Sequence, residues 1–129
     1  MFSFPKKERL CSYSRIQELF AKGDAFLVYP FSIRYIIDRQ GEGKSTVMIV
    51  CPKRYQRLAV NRNLTKRRMR EAYRLNNAGM KIALREKGCN IDFAISYVAK
   101  NIFDYHHLEE KMKEVLANIE AKILEQDSK

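Results

Sequence analysis

Between Lys53 and Arg74 the chain carries Lys53, Arg54, Arg57, Arg62, Lys66, Arg67, Arg68, Arg70 and Arg74 against one acid, Glu71. Side chains of this type break no bonds by themselves. Their chemistry is the neutralisation of phosphate, with release of the counterions that phosphate holds. Arg outnumbers Lys here, and its planar fork suits phosphate oxygens and base edges. From Ala59 to about Asn77 the apolar residues recur at helical spacing, so most of these cations ride on a helix. At roughly 100° per residue from Val60, Arg62, Lys66, Arg70, Arg74 and Arg67 fall between roughly 200° and 340°, with Asn63 inside the arc. Leu64, Ala72 and Leu75 fall between roughly 40° and 120°, the expected core face. Arg68, near 80°, breaks the pattern and is expected to snorkel to the flank or meet a polar group. A merely solvated face would mix signs. Here Arg62–Lys66, Lys66–Arg70 and Arg70–Arg74 are like-charged i,i+4 pairs, mildly destabilising until phosphates lie between them.

Nothing else in the chain spells out a protein active site. His106 and His107 are adjacent, so on a helix they point about 100° apart and make a poor ligand pair. They are expected as an exposed pair at the start of the last helix. Asp92 and Asp104 are scattered acids that could bind a metal but are ordinarily solvated. Cys11, Cys51 and Cys89 are odd in number and far apart, with no CxxC pair. Reduced thiols are therefore expected, not a disulfide framework or structural zinc site. No GxSxG, P-loop, GxGxxG or HExxH occurs.

These residues sit in 129 residues with a net charge of +10 and a hydrophobic fraction of 46%, enough for the core of one domain spanning 1–129. A charge excess of that size repels itself, so it implies an anionic partner, nucleic acid or a membrane surface. The isoelectric point near 9.7 favours nucleic acid. No apolar run approaches the ~20 residues that span a bilayer. MFSFPKKERL lacks the apolar core of a signal peptide. The expectation is a cytoplasmic protein with no membrane partner.

The elements that must position the basic helix are legible in outline. SYSRIQELFAKG reads as a short helix from Ser12 or Ser14 to about Lys22, capped by Ser14 and stopped by Gly23. VYPFSIRYIID reads as a strand, with Pro30 restricted to its beginning or edge. Arg39 to Lys44 is a Gly-containing turn, and STVMIVC, Ser45 to Cys51, is the expected second strand of a hairpin. Gly79 is expected to break the basic helix, with a further helical turn over Met80 to Glu86. NIDFAISYV, Asn90 to Val98, alternates as a third strand. From about Asp104 the chain is helical, with Leu108, Met112, Val115, Ile119 and Ile123 as the buried stripe. The order predicts an α+β sandwich with helices packed on a sheet.

AVNRNLTKRRMREAYR, Ala59 to Arg74, closely resembles the signature helix of the bacterial ribonuclease P protein family. Arg62 and Asn63 match the first two residues of its Arg-Asn-Arg motif. Lys66 and Arg67 match its Lys-Arg pair, and Arg70 matches the later Arg. PKRYQR, with Lys53 and Arg54, looks like the approach to that helix. RLCSYSRIQELFAKG resembles the family's first helix, with Phe20 at a matching aromatic position and Ile16 at the other. Leu64 departs from the motif, where the second arginine would stand.

The resemblance implies a mixed sheet with a left-handed β-α-β crossover around the basic helix. It implies a protein subunit of the ribonucleoprotein that cleaves the 5′ leader from precursor tRNA, with the catalytic centre in the RNA and none in the protein. It implies Mg²⁺ held mainly by that RNA. The catalytic RNA is expected on Lys53, Arg54, Arg62, Asn63, Lys66, Arg67, Arg70 and Arg74. The leader is expected in a groove between the first helix and the sheet, walled by Phe20 and Tyr35 and edged by Lys22 and Lys53. Aromatics beside a cationic groove are what single-strand binding requires. Two other readings stand beside it: a non-enzymatic RNA-binding module, and a DNA-binding helix-turn-helix. The latter needs a short helix before the basic one, which Pro52 to Leu58 does not suggest, so no DNA partner is expected.

Overall fold

The computed structural model describes residues 13–125. Cys11 and Ser12 therefore lie outside the described residues. Among the described residues eight elements follow one another: α1 (Tyr13–Lys22), β1 (Asp24–Val28), β2 (Phe31–Asp38), β3 (Ser45–Val50), α2 (Ala59–Asn76), α3 (Ala78–Lys87), β4 (Asn90–Tyr97) and α4 (Tyr105–Leu124). They form the expected α+β architecture, a four-stranded sheet with helices on both faces. The expected helix and strand positions are largely met. Ser14 falls inside the first turn of α1, and the strand β1 was not anticipated.

The sheet order is β1-β2-β4-β3. The hairpin expected between β2 and β3 is therefore overturned. β4 lies between them, antiparallel to β2 and parallel to β3, with Ile95 opposite both Ile33 and Ile49. The hairpin is instead β1–β2. The reason lies in the turn after β2. Gly41 and Gly43 donate their amides to the carbonyls of Gly88 and Cys89 at 2.7 and 3.0 Å. Asn90 Oδ1 accepts from the amides of Glu42 and Lys44 at 2.9 and 2.8 Å. The turn is thus bonded to the start of β4 and steers β3 past it. Alternation tells which face a residue takes, but not which strand lies next door.

Strand alternation creates two unequal layers. Phe31, Ile33, Tyr35, Val47, Ile91, Phe93, Ile95 and Tyr97 face the main core, where α2, α3 and α4 cover them. The opposite face is closed by α1, whose Leu19 packs on Ala94 beside Ile16, Ile36 and Met48. Gly23 ends α1 where the chain presses on the sheet; a Cβ there would lie 2.4 Å from the Leu19 carbonyl oxygen. The break after α2 falls at Asn77, not Gly79, which lies inside α3. Gly88 takes the left-handed conformation that ends α3, at φ 63°. Asp104 caps α4, its carboxylate accepting from the His107 amide at 2.9 Å.

Candidate nucleic-acid interface

The helix α2 buries Thr65, Met69, Ala72 and Tyr73. On the same wheel these lie between roughly 120° and 220°. The expected core face was displaced toward the leucines. Ala72 is buried, but Leu64 is half-buried on a flank and Leu75 is 44% exposed. Packing selects the long Met69 and the Tyr73 ring, which meets Phe93 at 5.8 Å between centroids. Arg68 does what its position requires: its Nη1 donates to the Phe103 carbonyl at 2.7 Å.

The cationic arc thereby turns outward. Asn63, Arg67 and Arg70 are exposed, and Lys66 is half-buried at the arc's inner edge. Arg62 lies deepest. Its Nη1 donates to the carbonyls of Gln56 and Arg57 at 3.1 and 2.9 Å. Arg74 pairs with Glu71 three residues earlier, which occupies the segment's one acid.

The approach to α2 is part of the same surface. Lys53, Arg54, Arg57 and Leu58 line an open depression of about 820 Å³. Composition announced its cations, but its anchor, Gln56, was missed. The Gln56 side chain is buried and its Nε2 donates to the carbonyls of Ala99, Lys100 and Asn101 at 2.9, 2.9 and 3.3 Å. A lone glutamine inside PKRYQR carries no sequence signal; only the neighbouring loop gives it a role. Burial pushes the nearby Cys51 thiol up, with Lys66 and Arg62 pulling the other way. The Arg62 hydrogen bonds to the Gln56 and Arg57 carbonyls join the arc to the loop after β3.

The residues assigned to the leader are not all brought together. Phe20 is 41% exposed on α1, with Lys22 exposed two residues on. Tyr35 lies on the other face of the sheet, 7% exposed in the main core against Phe26. Its phenol is pushed up, first by burial and then by Asp24 and Glu125. Tyr35 therefore does not wall a groove with Phe20. The neighbour that does share Phe20's face is Arg34. Its guanidinium sits 5.9 Å from the Phe20 ring centroid and Nη1 donates to the Phe20 carbonyl at 3.3 Å. The signal for this was the β2 alternation itself, which puts Arg34 and Ile36 opposite Ile33 and Tyr35.

The remaining titratable candidates take local roles. His106 pairs with Glu110 at 3.1 Å on the surface. His107 is not exposed as expected: it is half-buried and stacks on Phe103 at 4.5 Å. Asp92 accepts from the Thr46 hydroxyl, and Asp104 is the α4 cap. Cys51 and Cys89 are buried thiols. Among the described residues, no three of His, Cys, Asp or Glu gather as a metal site.

Residues 4–120 match the family model for Ribonuclease P. This chain belongs to the ribonuclease P protein family. It is 34% identical over 120 residues to the ribonuclease P protein component of Porphyromonas gingivalis, covering 92% of this chain and 87% of that protein. Its fold is that of the ribonuclease P protein from Thermotoga maritima, with a TM-score of 0.67 at 24% identity over 87% of this chain and 97% of that one. The Staphylococcus aureus RNase P protein superposes with a TM-score of 0.64 at 19% identity, over 92% and 98%. The chain is a subunit of ribonuclease P, an endoribonuclease that matures the 5′ end of tRNA. A ribonuclease P subunit binds RNA, so the helix-turn-helix reading and that of a module outside any enzyme are set aside.

Proposed function

We propose that this ribonuclease P protein holds the catalytic RNA subunit on the outward arc of α2 and its approach, through Lys53, Arg54, Arg62, Asn63, Lys66, Arg67, Arg70 and Arg74. The observation that carries the reading is the exposure of Arg67 and Arg70, with Lys66 half-buried beside them, while Glu71 is occupied by Arg74. Like charges at helical spacing are relieved when phosphates lie between them. Arg62 contributes twice, as a cation of the arc and as a brace for the loop that bears Lys53, Arg54 and Arg57.

The precursor-tRNA leader is assigned to the face of the sheet that carries α1, on Phe20, Lys22 and Arg34, with Lys53 at the strand ends. Phe20 supplies an exposed ring and Arg34 a cation already seated on it, the pairing that single-strand binding uses. Mg²⁺ belongs to the same proposal as a metal held mainly by the RNA, as the family resemblance implies. The protein's part is to bind and align two polyanions. The proposal further comprises one domain over 1–129, a cytoplasmic location with no membrane or DNA partner, and a left-handed crossover. β3 and β4 are adjacent and parallel, joined by α2 and α3 across the main core face.

Reconstitution with the catalytic RNA tests the reading. A Lys66→Ala, Arg70→Ala double variant is expected to weaken assembly and reduce the log–log salt slope by up to ~0.7–0.9 per lost phosphate contact. It should also need more Mg²⁺ for precursor cleavage. An unchanged slope overturns the assignment of the arc.

A further inference from the structure

Leu64 stands where the family motif has its second arginine, and it borders the phosphate-binding arc at Arg67 without carrying a charge of its own. With Arg67, Arg68, Glu71 and Tyr105 it lines an open hollow of about 300 Å³ between α2 and the start of α4. The charged groups at its rim are disposed so as to leave the floor apolar. The Arg68 guanidinium is drawn aside to the Phe103 carbonyl. The Glu71 carboxylate is neutralised by Arg74. The Tyr105 ring packs against the main core, and its hydroxyl donates to Glu109 Oε2 at 3.4 Å, so the ring is held in place. Arg67, at the outer edge, is exposed and belongs to the cationic arc.

We propose that this hollow receives one unstacked nucleobase of the catalytic RNA, with the adjoining phosphate on Arg67. The inference rests on the reading that the arc binds that RNA. RNA is recognised by bases splayed from the helix and laid on aromatic or guanidinium planes. The hollow offers the Tyr105 ring and the Leu64 side chain to the face of a base. The lone pairs of Glu71 not used by Arg74 accept from the amino group of adenine, cytosine or guanine. An arginine at 64 would fill this space and add one phosphate contact. Leucine leaves it open and apolar. An aromatic side chain of a protein partner would find the same floor, but the arginines at the rim and the nine cations of residues 53–74 select a polyanion.

The test uses the assembled ribonucleoprotein, with dimethyl sulfate and carbodiimide reporting the pairing edges of the RNA bases. The parent protein is expected to protect one unpaired base. Tyr105→Phe keeps that protection because it keeps the ring. Leu64→Ala and Tyr105→Ala lose it at saturating protein and weaken assembly about tenfold, the scale of one stacked base, with the salt slope unchanged. Leu64→Arg loses the protection and steepens the slope. Lys66→Ala does the opposite of Leu64→Ala: it flattens the slope and keeps the protection. If Leu64→Ala binds as the parent does with the same protected bases, or flattens the slope, the base site is overturned. Should Tyr105→Ala fail to fold, Leu64→Ala decides alone, because Leu64 is only half-buried. If Lys66→Ala and Arg70→Ala together leave the slope unchanged, it is the assignment of the arc that fails.

Discussion

Arg34 and Tyr35 are neighbours in sequence and lie on opposite faces of one strand, so their substitutions should separate cleanly. Arg34→Ala removes the cation seated on Phe20. It should weaken binding of precursor tRNA with a leader of several nucleotides roughly tenfold, the scale of one charge-assisted contact. Binding of mature tRNA should be almost unchanged. Two affinities measured with the assembled ribonucleoprotein at one salt concentration decide this; equal losses would place Arg34 outside the leader's path. Tyr35→Ala instead empties a core site and should cost about 3–5 kcal/mol in denaturant unfolding, as large aromatic truncations do. The same logic separates the two histidines, one on the surface with Glu110 and one under Phe103.

At the scale of elements, α4 shows how a periodic stripe becomes a load on the core. Leu108, Met112, Val115, Leu116, Ile119 and Ile123 are all buried beneath it. Leu108→Ala should lower the unfolding free energy by about 2–5 kcal/mol, read from the urea midpoint at constant slope. A midpoint that stays in place would mean that α4 is not packed as described. α4 was legible because its stripe repeats over about four turns and its cap, Asp104, is a good one. The hairpin was misread because β2, β3 and β4 all alternate, and alternation is silent on neighbours. β1 escaped notice because DAFLV is five residues long and alternates weakly in burial.

Across the whole molecule, Tyr97 joins the sheet to the loop before α4, the loop that anchors Gln56. It is fully buried, stacks edge-on with Phe31 and Phe103, and donates its hydroxyl to the Asn101 carbonyl. Burial pushes its phenol up from 10.0 to about 12. A tyrosine raised in this way keeps its proton in the native state at pH values where the unfolded chain has already released it. Stability from this group is therefore complete below pH 10 and declines between pH 10 and about 12, by up to ~1.4 kcal/mol per pH unit. Tyr97→Phe should be less stable than the parent near neutrality, where it lacks the hydrogen bond. That gap should narrow as the pH rises through 10 and 11 in urea titrations. A gap independent of pH would show that the Tyr97 phenol does not titrate differently on folding.

The residues themselves determined the partner class, the two-faced basic helix, the buried stripe of α4 and the family, because charge, period and motif are properties of short stretches of chain. They also dictated that Arg68 must find a polar group. Only the tertiary structure decided which group, since the Phe103 carbonyl arrives from 35 residues away. The same holds for Gln56, whose three acceptors lie more than 40 residues on. It holds for the sheet order, set by bonds between a turn and a distant strand start. It holds for Tyr35, because the side of the sheet that α1 covers follows from where Leu19 finds Ala94. Contacts between segments far apart in sequence are chosen by packing and by the pairing of buried polar groups, and neither leaves a local pattern to read.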